Sequence, residues 1–89
     1  MEHTHMVEPG QIVYCKSGRD AGLMMMILEI LDNDYVLLVD GKRRTLEHPK
    51  KKNIKHLQKT HQVIAPEHRL VDRHIRNEIK YLIHGQEEM

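Results

Sequence analysis

The sequence predicts a mostly β domain, a small five-stranded barrel followed by one C-terminal α-helix. Two observations carry this. Short β-former runs alternate with turn signals from Gln11 to Thr60. After Pro66 the apolar spacing changes from that of a strand to that of a helix. A chain of 89 residues holds one such domain and buries only a modest core, so a large enclosed active site is not expected.

Residues 1–8 show no periodicity and read as a disordered tail, and Pro9-Gly10 opens the domain. Gln11 to Lys16, with Ile12 and Val13, is the first strand. Ser17-Gly18-Arg19-Asp20-Ala21-Gly22 is a tight loop, in which Gly22 calls for a positive φ. Leu23 to Leu31 is the second strand. It is apolar on both faces apart from Glu29, so one face can cover the barrel core while the other receives a helix. Asp32-Asn33-Asp34 forms a hairpin turn, because Asx side chains bond their own backbone. Tyr35 to Val39 is the third strand, and Asp40-Gly41 is a two-residue hairpin signal leading to a fourth strand over Arg43 to Glu47. His48-Pro49 ends that strand, and Lys50-Lys51-Lys52 is expected as loop. Asn53 to Leu57 contains one helical turn before a last strand near Gln58 to Thr60, closing a barrel over residues 9–61. Residues 62–89 form an extension with a helix at about 68–84. Its apolar face is Val71, Ile75, Ile79 and Leu82, with Asp72 as N-cap and Gly85 as the stop. Arg69, Arg73, Arg76 and Lys80 share another face, expected to be solvated, with direct RNA contact as the alternative.

A net charge of +1 conceals a segregated distribution. Residues 1–40 carry two bases and seven acids, whereas residues 41–60 carry eight bases and one acid. A basic block of this density points to a polyanion. Its alternative is a solvated lysine-rich loop. Tyr14, Tyr35 and Tyr81 are scattered and Phe and Trp are absent, so a stacking platform for single-stranded RNA is not in view. Folded RNA, gripped by backbone and shape, fits better.

Catalytic and metal chemistry find little footing. The eight histidines include His3 and His5 in the tail and His56 and His61 around the last strand, but none follows a zinc-ligand spacing. Cys15 sits at an inward strand position, which favours an inert buried thiol, and a single cysteine excludes an internal disulfide. No nucleotide-binding glycine loop occurs. The expectation is a non-enzymatic protein without metal, cofactor or small-molecule substrate. The longest apolar run falls far short of a membrane span, and the N-terminus lacks the pattern of a signal peptide, so the expected location is the cytoplasm.

Gly10 to Val36 resembles a KOW motif, with Val13 and Cys15 at the inward strand positions and Gly22 at the fixed loop glycine. Ser17 to Gly22, Tyr35-Val36-Leu37, Asp40-Gly41 and Asn53 to Leu57 extend the likeness to the "fourteen-e" type of large-subunit ribosomal protein and its short bacterial relatives. The resemblance covers about residues 7–60. It implies an SH3-like barrel and ribosomal or other structured RNA as partner. Combined with the basic block, it makes Lys16, Arg19, Lys42, Arg43, Arg44, Lys50, Lys51, Lys52, Lys55 and His56 the candidate RNA-binding residues. A protein-interaction module on the same barrel is the alternative, since fold does not fix function.

Overall fold

A computed structural model describes residues 6–87. Five strands form one antiparallel sheet: β1 (Gln11–Cys15), β2 (Met24–Ile30), β3 (Tyr35–Val39), β4 (Lys50–Asn53) and β5 (Leu57–Val63). Their spatial order is β4-β3-β2-β1-β5. The helix α1 (Asp72–Glu87) follows after a short 3-10 turn at Pro66–His68.

The expected barrel is instead an open sheet, with β4 and β5 as its two edges. Connectivity nevertheless forces it to curl. Four strand spacings of about 4.8 Å would put the edges of a flat sheet about 19 Å apart. The chain from Asn53 to Leu57 makes only a 3-10 turn, Ile54–His56, and even fully extended those steps would reach about 14 Å. The two edges therefore meet at this corner. Asn53 Oδ1 accepts from the Lys55 N–H at 3.0 Å, and the Ile54 N–H donates to Asp34 O at 2.7 Å.

The alternation along β2 sorts its side chains between two cores. Met25 and Ile27 join Val13, Cys15, Val36, Leu38, Ile54 and Leu57 inside the curl. Met24 and Met26 join Ile12, Val39 and Ile64 on the other face, where Ile75 and Ile79 of α1 cover them. The two-faced reading of the second strand holds. So does the Asx turn, with Asp32 Oδ1 accepting from the N–H groups of Asp34 and Tyr35, both at 2.8 Å.

The stretch after β3 differs from expectation. Asp40-Gly41 does not make a two-residue hairpin, and Arg43 to Glu47 is not a strand. The Asp40 carboxylate accepts from the N–H groups of Lys42 and Arg44, both at 2.9 Å, and so winds the chain into a capped loop. The partner of β3 is the lysine triplet, with Leu38 opposite Lys50 and Val36 opposite Lys52. Lysines suit an edge strand, where their charge discourages pairing with another chain. The final strand also runs further than expected, from Leu57 to Val63.

The helix docks through Ile75 and Ile79, with Leu82 half-buried against the same core. Val71 does not dock; it is 45% exposed and precedes the helix. Its carbonyl accepts the first helical bonds, from His74 and Ile75. Asp72 is therefore already in the first turn, and its carboxylate accepts from the Leu46 N–H at 2.8 Å rather than capping its own helix. Gly85 does not stop α1, which continues to Glu87. Two arginines expected in solvent are engaged: Arg69 Nε donates to Ile64 O at 2.6 Å, and Arg76 Nη1 to Gly41 O at 2.9 Å. Gly41 has a φ of 77°, and a Cβ there would collide with Asp72 O and lie 2.9 Å from Arg76 N. The close approach of α1 to this loop thus requires glycine. Of the expected N-terminal tail, residues 1–5 lie outside the described residues, while Val7 packs against the first core.

Candidate nucleic-acid interface

The Ser17–Gly22 loop closes β1 onto β2. The Cys15 N–H donates to Leu23 O at 3.0 Å, and the Gly22 N–H donates back to Cys15 O at 2.7 Å. Gly22 adopts a φ of 86°, as the loop was expected to require. A Cβ there would meet nothing within 4 Å, so the demand is purely one of backbone conformation. Asp20 turns inward and is 3% exposed. The Arg44 guanidinium neutralises it, with Nη2 at 3.0 Å and Nε at 3.3 Å from the same carboxylate oxygen. This fork binds the loop to the segment after β3. It also means that Arg44, one of the candidate RNA ligands, is already engaged within the fold.

Around this loop the structure gathers five of the other candidates. Lys16 follows β1, and its N–H donates to His56 O at 2.8 Å, so the turn carrying Lys55 and His56 lies alongside. Lys52 reaches across the open side of the first core and donates from Nζ to Ser17 O at 2.8 Å. Arg19 stands exposed on the loop, and Lys16, Lys55 and His56 are exposed beside it. Lys50 shares the β4 face of Lys52, whereas Lys51 lies on the opposite face with its ammonium 4.7 Å from the centre of the Tyr35 ring. Lys42 and Arg43 turn away from the loop and border a groove beside α1, next to Arg76 and Lys80. The single basic block is therefore divided between two surfaces. The sequence spacing did not show this, because the capped loop after Asp40 sets the direction of residues 42–44.

Cys15 is buried under this region. Desolvation pushes its thiol above 9.0, partly opposed by Lys52, and a protonated buried thiol is a poor nucleophile. Among the described residues no three His, Cys, Asp or Glu side chains converge on a position suited to a metal ion. No helix among them is long and apolar enough to cross a membrane.

No protein-family model matches the chain. Curated proteins do. It is 39% identical over 54 residues to the large ribosomal subunit protein eL14 of Desulfurococcus amylolyticus, covering 61% of this chain and 56% of that protein. It is 34% identical over 59 residues to eL14 of Metallosphaera sedula, covering 66% and 62%. It is also 40% identical over 48 residues, covering 54% and 65%, to a Bacillus subtilis protein named "Putative ribosome-binding protein YbzG". Over the matched stretch the chain is thus similar to eL14 ribosomal proteins. It spans between 56% and 65% of the length of these three relatives. The likeness to the fourteen-e type, drawn above from the loop glycines and Asn53 to Leu57, agrees with these matches.

Proposed function

We propose that this chain is a non-catalytic, ribosome-associated RNA-binding protein whose sheet is an SH3-like fold of the KOW type. The observation that carries the reading is the gathering of Lys16, Arg19, Lys52, Lys55 and His56 around one glycine-bounded loop whose only acid, Asp20, is buried and neutralised. Cations so placed displace condensed counterions from phosphates. The arginine adds a fork that lysine lacks. Kinship with eL14 and YbzG supports ribosomal RNA as the polyanion and the cytoplasm as the place of action. A folded RNA suits this face. Tyr35, the ring nearest the lysine strand, lies under Lys51 on the opposite side of the sheet. Lys50 extends the interface along β4, the ring-bound Lys51 lies on the opposite face, and Lys42 and Arg43 serve the other surface.

The test is binding to large-subunit ribosomal RNA across a salt series. Four or five neutralised phosphates give a slope of log affinity against log salt of roughly −3 to −4. The double variant Arg19→Glu, Lys55→Glu reverses two exposed charges, so it keeps the fold and loses most of the affinity. Wild-type affinity in a folded double variant would defeat the proposed face.

A further inference from the structure

A second surface lies on the α1 side of the sheet, apart from the Ser17–Gly22 face. It is a half-open groove of about 620 Å³ between α1 and the loop after β3. Its floor is aliphatic and thioether: Leu23 and Met24 from the sheet side, Ile79 and Ile83 from the helix. Its rim carries Lys42 and Arg43 on one bank and Arg76 and Lys80 on the other. The one acid in the lining, Asp40, has its carboxylate already occupied by the N–H groups of Lys42 and Arg44. Lys42, Arg43 and Lys80 are exposed and form no ion pair among the described residues. Arg76 is anchored through Nη1 to Gly41 O, which fixes its guanidinium at the lip.

We infer that this groove docks an acidic protein segment bearing aliphatic side chains. The rim selects for carboxylates, because four cations face a single, already satisfied acid and an arginine fork accommodates a carboxylate bidentately. The floor selects for aliphatic anchors. Methionine adapts to varied side chains and is favoured on binding surfaces that repack. An unpaired nucleotide suits the floor less well. Bases are held best by stacking on broad aromatic planes, and no Phe, Tyr or Trp lines the groove, whose one ring is the imidazole of His84. The inference is independent of the RNA reading, since it uses none of the residues assigned to that face.

The experiment follows the amide and methyl NMR signals of the full isotope-labelled chain during titration with a short fluorescein-labelled peptide of glutamates interspersed with leucines. Binding moves the signals of Leu23, Met24, Ile79 and Ile83 and leaves those of Arg19 and Lys55 in place. Ile83→Asp and, separately, Lys80→Glu weaken the peptide by at least about tenfold. Both positions are exposed, so both variants fold, and circular dichroism checks this. Three results would overturn the inference: no movement of the groove signals; equal affinity for an all-glutamate peptide, which would leave the apolar floor without a role; or displacement of the peptide by a single-stranded RNA oligomer that moves the same signals. Loss of ribosomal RNA binding in the Arg19/Lys55 double variant with peptide binding intact separates the two surfaces.

Discussion

Replacing Arg44 with methionine tests how the Ser17–Gly22 loop is held. Methionine keeps much of the apolar stem and removes the charge and the fork. Asp20 would then remain inside, its side chain 4% exposed, with neither of its bonds at 3.0 and 3.3 Å. Stranding one member of a buried pair costs roughly 3–5 kcal/mol. The Arg44 end is 28% exposed, so water can reach the vacated site and the low end, about 3 kcal/mol, is expected. For a domain of this size that is a fall in Tm of about 12–24 °C. Asp20→Asn should cost less, about 1–2 kcal/mol, because the freed guanidinium can turn to solvent. The double variant should be more stable than the sum of the singles implies, with coupling of about 1–3 kcal/mol. Thermal and urea unfolding of the four proteins measure all three quantities. A change below about 0.5 kcal/mol in Arg44→Met would refute the claim that this pair organises the loop. Arg44 must accordingly be left out of any charge-reversal test of RNA binding, where a loss would report unfolding.

Gly22→Val should destabilise by about 1–3 kcal/mol through its positive φ alone, and Gly22→Asn by less, since Asn tolerates that region; equal effects in urea unfolding would count against a purely conformational cause. Ile75→Ala should cost about 2–5 kcal/mol, while Val71→Ala at the exposed position should change stability by less than about 0.5 kcal/mol, both read from denaturant midpoints. The N–H groups of Asp34, first, and Tyr35 hold the Asp32 carboxyl below 3.8, opposed by desolvation and aided last by Lys51. Its folded pKa lies below the unfolded one, so this charge contributes stability above 3.8 that disappears as pH falls through the folded value. The stability gap between wild type and Asp32→Asn should therefore close on acidification, and a gap that is flat down to pH 2 by urea titration would contradict this reading.

Much of the architecture was legible because local chemistry and tertiary packing agreed. Two-sided apolarity from Met24 to Ile27 announced two cores, and Gly22 announced its own φ. The lysine strand was hidden because strand propensity discounts lysine, while the deciding factor was the edge of β3, where Lys50 and Lys52 pair opposite Leu38 and Val36. Asp40 explains the complementary error. Its carboxylate holds the amides of Lys42 and Arg44, the second of which a fourth strand over Arg43 to Glu47 would have needed. Val71 fitted the helical period, but a period cannot tell which residue precedes the first turn. At the candidate site, residue types were readable and directions were not. Nothing local to Arg44 indicates that Asp20, distant in the chain, would claim it.

Three contacts stitch α1 to the loop after β3: Asp72 to Leu46, Arg76 to Gly41, and the bare Cα of Gly41 against the helix backbone. Neither partner can open without exposing amides and carbonyls of the other. Under hydrogen exchange the two should behave as one cooperative opening unit, with the Leu46 amide sharing the opening free energy of the first turns of α1 despite lying outside any strand or helix. A ligand seated on the helix would then slow exchange in the loop. The C-terminal segment thus sets the lifetime of the closed loop that carries Lys42, Arg43 and Arg44, and a truncation after β5 would convert that loop from a fixed wall into a fluctuating strand linker.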